Sequence, residues 1–355
     1  MPAPTLRTLA KSLGLSRTTV SEALRGSSCV KPATAERIKL AAKAAGYQPN
    51  PLAGAVMSEL RRSRGNAFRG VLAAVALTES DRPLHAGPFF KEILRGATDR
   101  ASALGFKIEL FTAGGDTGVS LSRLDQILQS RGIQGLILMP VWHSPDFTAL
   151  DWGRYAGVYA DYMIEKPALH SICPDHHRSL STALQQITAR GYKRPGMFVQ
   201  RHHDERLQYR WQGAFFAFQQ NNPDCGQVPL LMADEINEKN FTAWFKKHQP
   251  DVVLGHNSQA LEWMKACGAS VPKTHAFVSL NILNSTTPCA GLDQQPAHIG
   301  LRAAEILVAK LHRNERGAPQ PASLTTIAAR WVDGPTIRDK TLARPIREPA
   351  EAVLA

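Results

Sequence analysis

The residues best suited to recognition chemistry lie near the N-terminus. Arg17, Thr18, Ser21 and Glu22 share one face of a short helix, while Val20, Ala23 and Leu24 take the other. The Arg17 guanidinium offers paired donors to a guanine or a phosphate. The hydroxyls of Thr18 and Ser21 reach a base edge or a phosphate, and the Glu22 carboxylate can accept from a cytosine amino group. Ser16 is a good N-cap for this helix. Ahead of it, Leu6, Leu9, Ala10 and Leu13 recur at i, i+3, i+4 and i+7, and Gly14 supplies the turn that a β-carbon would obstruct. Two short helices about a glycine turn are a helix-turn-helix signature, with the second helix entering the major groove. A third helix is expected to start at Pro32, bury Ile38, Ala41, Ala42 and Ala45, and stop at Gly46.

The charge distribution points the same way. Residues 1–65 hold 11 Lys and Arg against 3 Asp and Glu, a net of +8, while the remainder carries only +4 of the total of +12. A basic excess confined to a helical head is the footprint of a nucleic-acid reader, because neutralising phosphates releases counterions.

In the rest of the chain the spacings exclude more than they offer. No Walker A pattern and no Gly-x-Ser-x-Gly occurs, so nothing points to a cofactor or an enzyme. His176-His177 and His202-His203 are adjacent pairs, which diverge on a helix or a strand and so do not suit a metal. Five scattered cysteines read as reduced, mostly buried thiols. With no signal-peptide core and no apolar run of about 18 residues, a cytoplasmic protein is expected.

From Gly70 the texture becomes alternating strand and helix. Strands are expected at 71–77, 107–111, 135–139, 157–159, 196–200, 229–232, 251–255, 275–280 and 324–329. Helices are expected at 89–104, 120–131, 178–190, 207–220, 237–248, 259–267 and 296–311, with a crossover near 173–175. That alternation implies an α/β core of two doubly wound lobes around a cleft, behind an α-helical helix-turn-helix head. The expected division is a head at 1–50, a hinge helix and linker at 51–69, the two-lobed effector-binding and dimerisation domain at 70–340, and a tail at 341–355. Trp211, Trp244 and Trp263, with the run 215–218, read as core.

Thr5-Leu6, Leu9-Ala10, Thr19-Val20-Ser21, Ala41-Ala42 and Gly46-Tyr47-x-Pro49-Asn50, in that order and spacing, resemble the lactose-repressor (LacI/GalR) family of bacterial transcription regulators. The resemblance continues through Gly191-Tyr192-Lys193-Arg194, Arg210-Trp211-Gln212-Gly213 and Pro250-Asp251…Asn257. It implies a DNA-binding regulator, a repressor, controlled by a small metabolite held in a periplasmic-binding-protein-like core. A sugar or sugar derivative is the expected effector. A constitutive regulator with a degenerate cleft and a nucleobase-responsive one are the alternatives.

The resemblance adds Thr5, Arg25, Asn50 and Ala53 to the DNA-facing candidates Ser16, Arg17, Thr18, Ser21 and Glu22. It also makes 51–64 a hinge helix whose Val56, with Met57 beside it, wedges into the minor groove where the family usually carries Leu. Glu22 likewise stands where the family usually has Arg. For the effector it points to Phe89 or Phe90, Asp175, Arg210, Asn257 and Asn281, with Asn281 replacing the family's common Asp and Ser258 the Asp after Asn257. Two heads on double-stranded DNA with a pseudo-palindromic operator imply a homodimer. The tail shows no heptads that would build a tetramer.

Overall fold

The computed structural model describes residues 6–24, 30–45, 47, 68–80, 82, 86–115, 118–162 and 164–341. In the head, α1 (Leu6–Leu13), α2 (Arg17–Leu24) and α3 (Pro32–Ala44) enclose a small core of Leu9, Ala10, Val20, Ala23, Val30, Ile38 and Ala42. Gly14 makes the turn at φ +64°, a conformation open to glycine at no steric cost. Ser16 caps α2 by accepting the Thr19 N–H at 3.0 Å. Ala45 corrects the sequence reading: it is exposed at the end of α3, one position beyond the buried stripe. The stop expected at Gly46 lies outside the described residues.

The body holds two six-stranded sheets. The first has β1 (Gly70–Leu77), β2 (Phe106–Ala113), β3 (Gly135–Leu138), β4 (Ala156–Tyr159), β5 (His170–Pro174) and β11 (Leu324–Ile327), in the order β11-β5-β4-β3-β1-β2, all parallel. The second has β6 (Pro195–Gln200), β7 (Leu231–Ala233), β8 (Val252–Gly255), β9 (Ala276–Ser279), β10 (Ala290–Asp293) and β12 (Arg330–Val332), in the order β12-β10-β9-β8-β6-β7. Only β12 runs antiparallel. Strands such as Gly-Val-Leu-Ala-Ala-Val-Ala-Leu of β1 are apolar throughout because both sheet faces are covered, and each lobe accordingly has a core on either face.

Helices α4 (Gly87–Ala103), α5 (Leu121–Ser130) and α11 (Pro296–Arg313) cover the first sheet. The second is covered by α6 (His176–Ala189), α8 (Arg210–Asn221), α9 (Glu238–His248) and α10 (Ala260–Ala266). The chain therefore passes between lobes three times: from β5 into α6, from β10 into α11, and from β11 to β12. The crossings are tied together. Asp175 N donates to Ile327 O (2.8 Å), Gln295 Nε2 to Ala328 O (2.6 Å), and Ala329 N to Ser179 Oγ (2.9 Å). Helix α11 crosses α4 at Gly96 and Gly300, where backbone meets backbone. A β-carbon on Gly300 would stand 1.9 Å from Ile93 O, and one on Gly96 1.9 Å from Ala297 O.

Three strands were not anticipated (β5, β10 and β12), each only three to five residues long. The helix expected at 207–220 begins three residues later, as α8, because Gln208 and Tyr209 take left-handed φ of 54° and 55°; a short α7 (Arg201–Glu205), which was not anticipated, precedes that bend. That bend is held by the buried Asp204, whose carboxylate accepts the N–H groups of Trp211 (3.1 Å) and Gln212 (3.0 Å) at the start of α8. Burial raises the Asp204 carboxyl above its usual range in spite of those donors. Trp211, Trp244 and Trp263 are buried as expected, but Phe216 is 42% exposed, so the run 215–218 is not one buried face.

Candidate functional site

Helix α2 turns its apolar side onto the head core through Val20 and Ala23, which leaves Ser16 and Arg17 exposed and Ser21 and Glu22 half-exposed. Thr18 belongs to α2. Ser16 spends its hydroxyl on the cap, meeting the Thr19 N–H and hydroxyl, so its role here is to start the helix. Thr5, Arg25, Asn50, Ala53, Val56 and Met57 lie outside the described residues. Among the described residues, Arg17 is the basic group on the outer face of α2.

The second site lies between the lobes, where the C-terminal ends of their strands meet, the position at which open parallel sheets bind ligands. There a cavity of about 90 Å³ is lined by residues lying just past strand after strand. Arg82 follows β1, Trp142 β3, Asp161 β4, His176 β5, Arg206 β6, His256 β8, Asn281 β9 and Gln294 β10. Two polar ties close the lobes over it. Arg206 donates to both carboxylate oxygens of Asp161 (2.9 and 2.8 Å) and to Val141 O (2.7 Å). His202 Nε2 donates to Trp142 O at 2.9 Å, since a carbonyl can only accept. The loop carrying Trp142 is pinned from below, its N–H and that of His143 donating to Glu79 and the Val141 N–H to Asp161.

The walls are aromatic. Trp142 lies against His202 and His203, His203 against His256, and Trp211 against His256 and His176, at ring separations of 4.5–5.8 Å. These imidazoles meet the neighbouring rings tilted or edge-on. Among the described residues no group of three or more His, Cys, Asp or Glu is placed to hold a metal ion. His176 is enclosed by Tyr162 and Trp211, and burial, then the charges of His256 and Arg206, lower its pKa from 6.5 to about 3. Several buried polar atoms of the lining residues have no protein partner: Trp211 Nε1, His176 Nδ1, Gln294 Oε1 and Asn284 Oδ1. Such atoms are costly unless something else satisfies them.

Of the residues proposed for an effector, Phe89 on the first turn of α4 and Asn281 line this cavity. Asn281 spends its side-chain oxygen on Leu283 N–H (3.2 Å), which leaves its amide nitrogen as the group to offer. The other four are not among the lining residues. Phe90 packs under the Arg82 guanidinium and against the core of the first lobe. Asp175 caps α6 through Arg178 N–H (3.0 Å) and accepts from Thr326 at the crossover. Arg210 lies on the Tyr162 ring, 4.6 Å from its centroid. Asn257 is exposed and caps the turn into α10 through Gln259 N–H. Ser258 bonds Thr286, tying two loops. Arg206, four residues before Arg210 and across the left-handed bend, is the arginine of this segment that lines the cleft. The position just past a strand end was the signal that could have found it, together with Trp142, Asp161 and Gln294.

Comparison with known proteins matches the head and part of the body. Residues 5–50 match bacterial regulatory proteins of the lacI family, and residues 184–337 a periplasmic binding protein-like domain. The HTH-type transcriptional regulator CelR of Thermobifida fusca is 33% identical over 136 residues, which is 38% of this chain and 37% of CelR. The chain thus aligns with little more than a third of that relative's length. A structure described as a transcriptional regulator CelR-cellobiose complex superposes with a TM-score of 0.56 at 22% identity, covering 94% of this chain and 99% of that one. A lac repressor dimer bound to operator and the anti-inducer ONPF superposes at 0.52 and 16% identity, covering 94% and 98%. At these identities the structures share the fold. No described helix is long and apolar enough to cross a membrane.

Proposed function

Because the chain is a LacI-family regulator, with that family's helix-turn-helix head and a periplasmic-binding-protein-like domain, we propose that it is a homodimeric repressor governed by a sugar bound between its lobes. The observation that carries this reading is the cleft: strand ends of both lobes converge on a cavity whose buried Trp211, Gln294 and Asn284 keep polar atoms without protein partners. Aromatic walls with a few convergent polar groups are the make-up of a small-molecule site. A ligand there touches both lobes, so it changes the balance between their open and closed arrangements. The hinge segment 51–69 would carry that change to two heads on a pseudo-palindromic operator.

The test has two steps. Fragments selected from genomic DNA by the full chain at about 150 mM salt, where non-specific binding is weak, should contain an inverted repeat. Titrating sugars into that complex, starting with cellobiose because the CelR structure holds it, should change operator affinity by roughly 5- to 150-fold, the usual range of such coupling. By reciprocity the operator shifts sugar affinity by the same factor. Operator binding that no sugar alters would make the chain a constitutive binder and refute the reading.

A further inference from the structure

Imidazoles gather on the seam between the lobes, where Trp142 and His143 of the loop after β3 meet α7. Ring centre to ring centre, His143 lies 4.9 Å from His202 across the seam, and Trp142 lies 5.2 Å from His202 and 5.8 Å from His203. On the second lobe's side the row continues from His203 to His256 at 4.5 Å. We propose that this seam is a proton-sensitive latch, which holds the lobes together while its imidazoles are neutral and lets them part when His143 and its neighbours on α7 take up protons. Histidine suits the task because its charge changes between about pH 5 and 8.

The tie itself survives protonation, because His202 donates to Trp142 O through Nε2–H (2.9 Å) in its neutral and its charged form alike. What changes is the charge on each side. The fixed charges facing the row already balance: Glu79, which accepts the Trp142 and His143 N–H groups, stands 3.9 Å from Arg82, and Asp161 is paired with Arg206 at 2.8 Å. On α7 itself Arg201 pairs with Asp234, Asp204 is buried beneath the start of α8, and Glu205 is exposed, where water screens it. His176, behind Trp211, stays neutral because burial lowers its pKa to about 3. Protons on His143 of one lobe and on His202 of the other therefore place like charges face to face at 4.9 Å. Two unit charges at that distance, in a medium between water and a protein interior, shift an equilibrium by about tenfold.

Acrylamide quenching of the full chain tests this without effector or operator, so its failure leaves the cleft standing as the effector site. The Trp142 signal is the difference between wild type and Trp142→Phe, which keeps the backbone acceptor of the tie. It is followed from about pH 8 to about pH 5.5, within the range where far-UV circular dichroism is constant. The open fraction read by Trp142 should rise about tenfold as pH falls. His143 is exposed, so His143→Gln spares the fold and the His202–Trp142 bond while removing the proton acceptor from the first lobe's side, and it should flatten the profile. A wild-type profile that is flat or opens toward high pH overturns the latch, and so does an unchanged profile in His143→Gln.

Discussion

The buried His176 makes a quantitative demand on stability. Its pKa is lowered from 6.5 to about 3, first by burial and then by the charges of His256 and Arg206. Below pH 6.5 the unfolded chain takes up a proton there that the folded chain refuses until about pH 3, so this contribution is fully present above pH 6.5 and is lost as pH falls. At about 1.4 kcal/mol per pH unit, roughly 2 kcal/mol has gone by pH 5. His170 and His275, also lowered by burial, add slope in the same direction, so the measurement must be a difference. Urea unfolding of wild type and His176→Phe, followed by tryptophan fluorescence from pH 7.5 to 5, isolates the one site. The variant has no proton to refuse, and its stability relative to wild type should rise by about 2 kcal/mol across that range. A difference that stays flat with pH would refute the burial argument for His176.

Three other perturbations test the remaining geometry. Gly300→Ala drives a β-carbon into Ile93 O and should cost about 1–3 kcal/mol of stability. Gly213→Ala in α8, which meets nothing within 4 Å, should be neutral or stabilising by up to about 1 kcal/mol. Thermal unfolding distinguishes the two, and equal effects would contradict the close crossing of α4 and α11. A double-mutant cycle of Arg206→Met and Asp161→Asn should give a coupling of about 1–3 kcal/mol, and a value under about 0.5 would mean that the pair does not hold the lobes together. Arg17→Ala should weaken the selected operator by about 1–3 kcal/mol in fluorescence anisotropy, and an equal loss on random DNA would reduce Arg17 to a phosphate contact.

The head was legible in the sequence because its signals are local. Ser16 caps the helix it immediately precedes, Gly14 makes its own turn, and a 3.6-residue period found the core of Leu9, Val20 and Ile38. The two-lobe body was legible from strand–helix alternation for the same reason. The cleft was not, because its members come from eight strand ends scattered over two hundred residues, and periodicity carries no information about which ends face each other. Arg210 was named from a motif and Arg206 was not considered. The outcome turned instead on Gln208 and Tyr209 adopting left-handed backbone, which reset the helix phase between the two arginines. Asp175 and Asn257 were named from the resemblance, and short polar side chains at helix starts serve caps and sites alike. Only their backbone partners tell the two apart.

The last crossing has a consequence for biosynthesis. β11 closes the edge of one sheet and β12 the edge of the other, and only Ala328 and Ala329 separate them. Neither lobe can be completed while the ribosome is still short of Val332, and both become complete together. The nascent chain must therefore carry two unfinished sheet edges through most of translation. A gene truncated anywhere before Leu324 would yield two damaged lobes instead of one intact one, and the three crossings mean that neither lobe can be excised as a continuous piece of the chain.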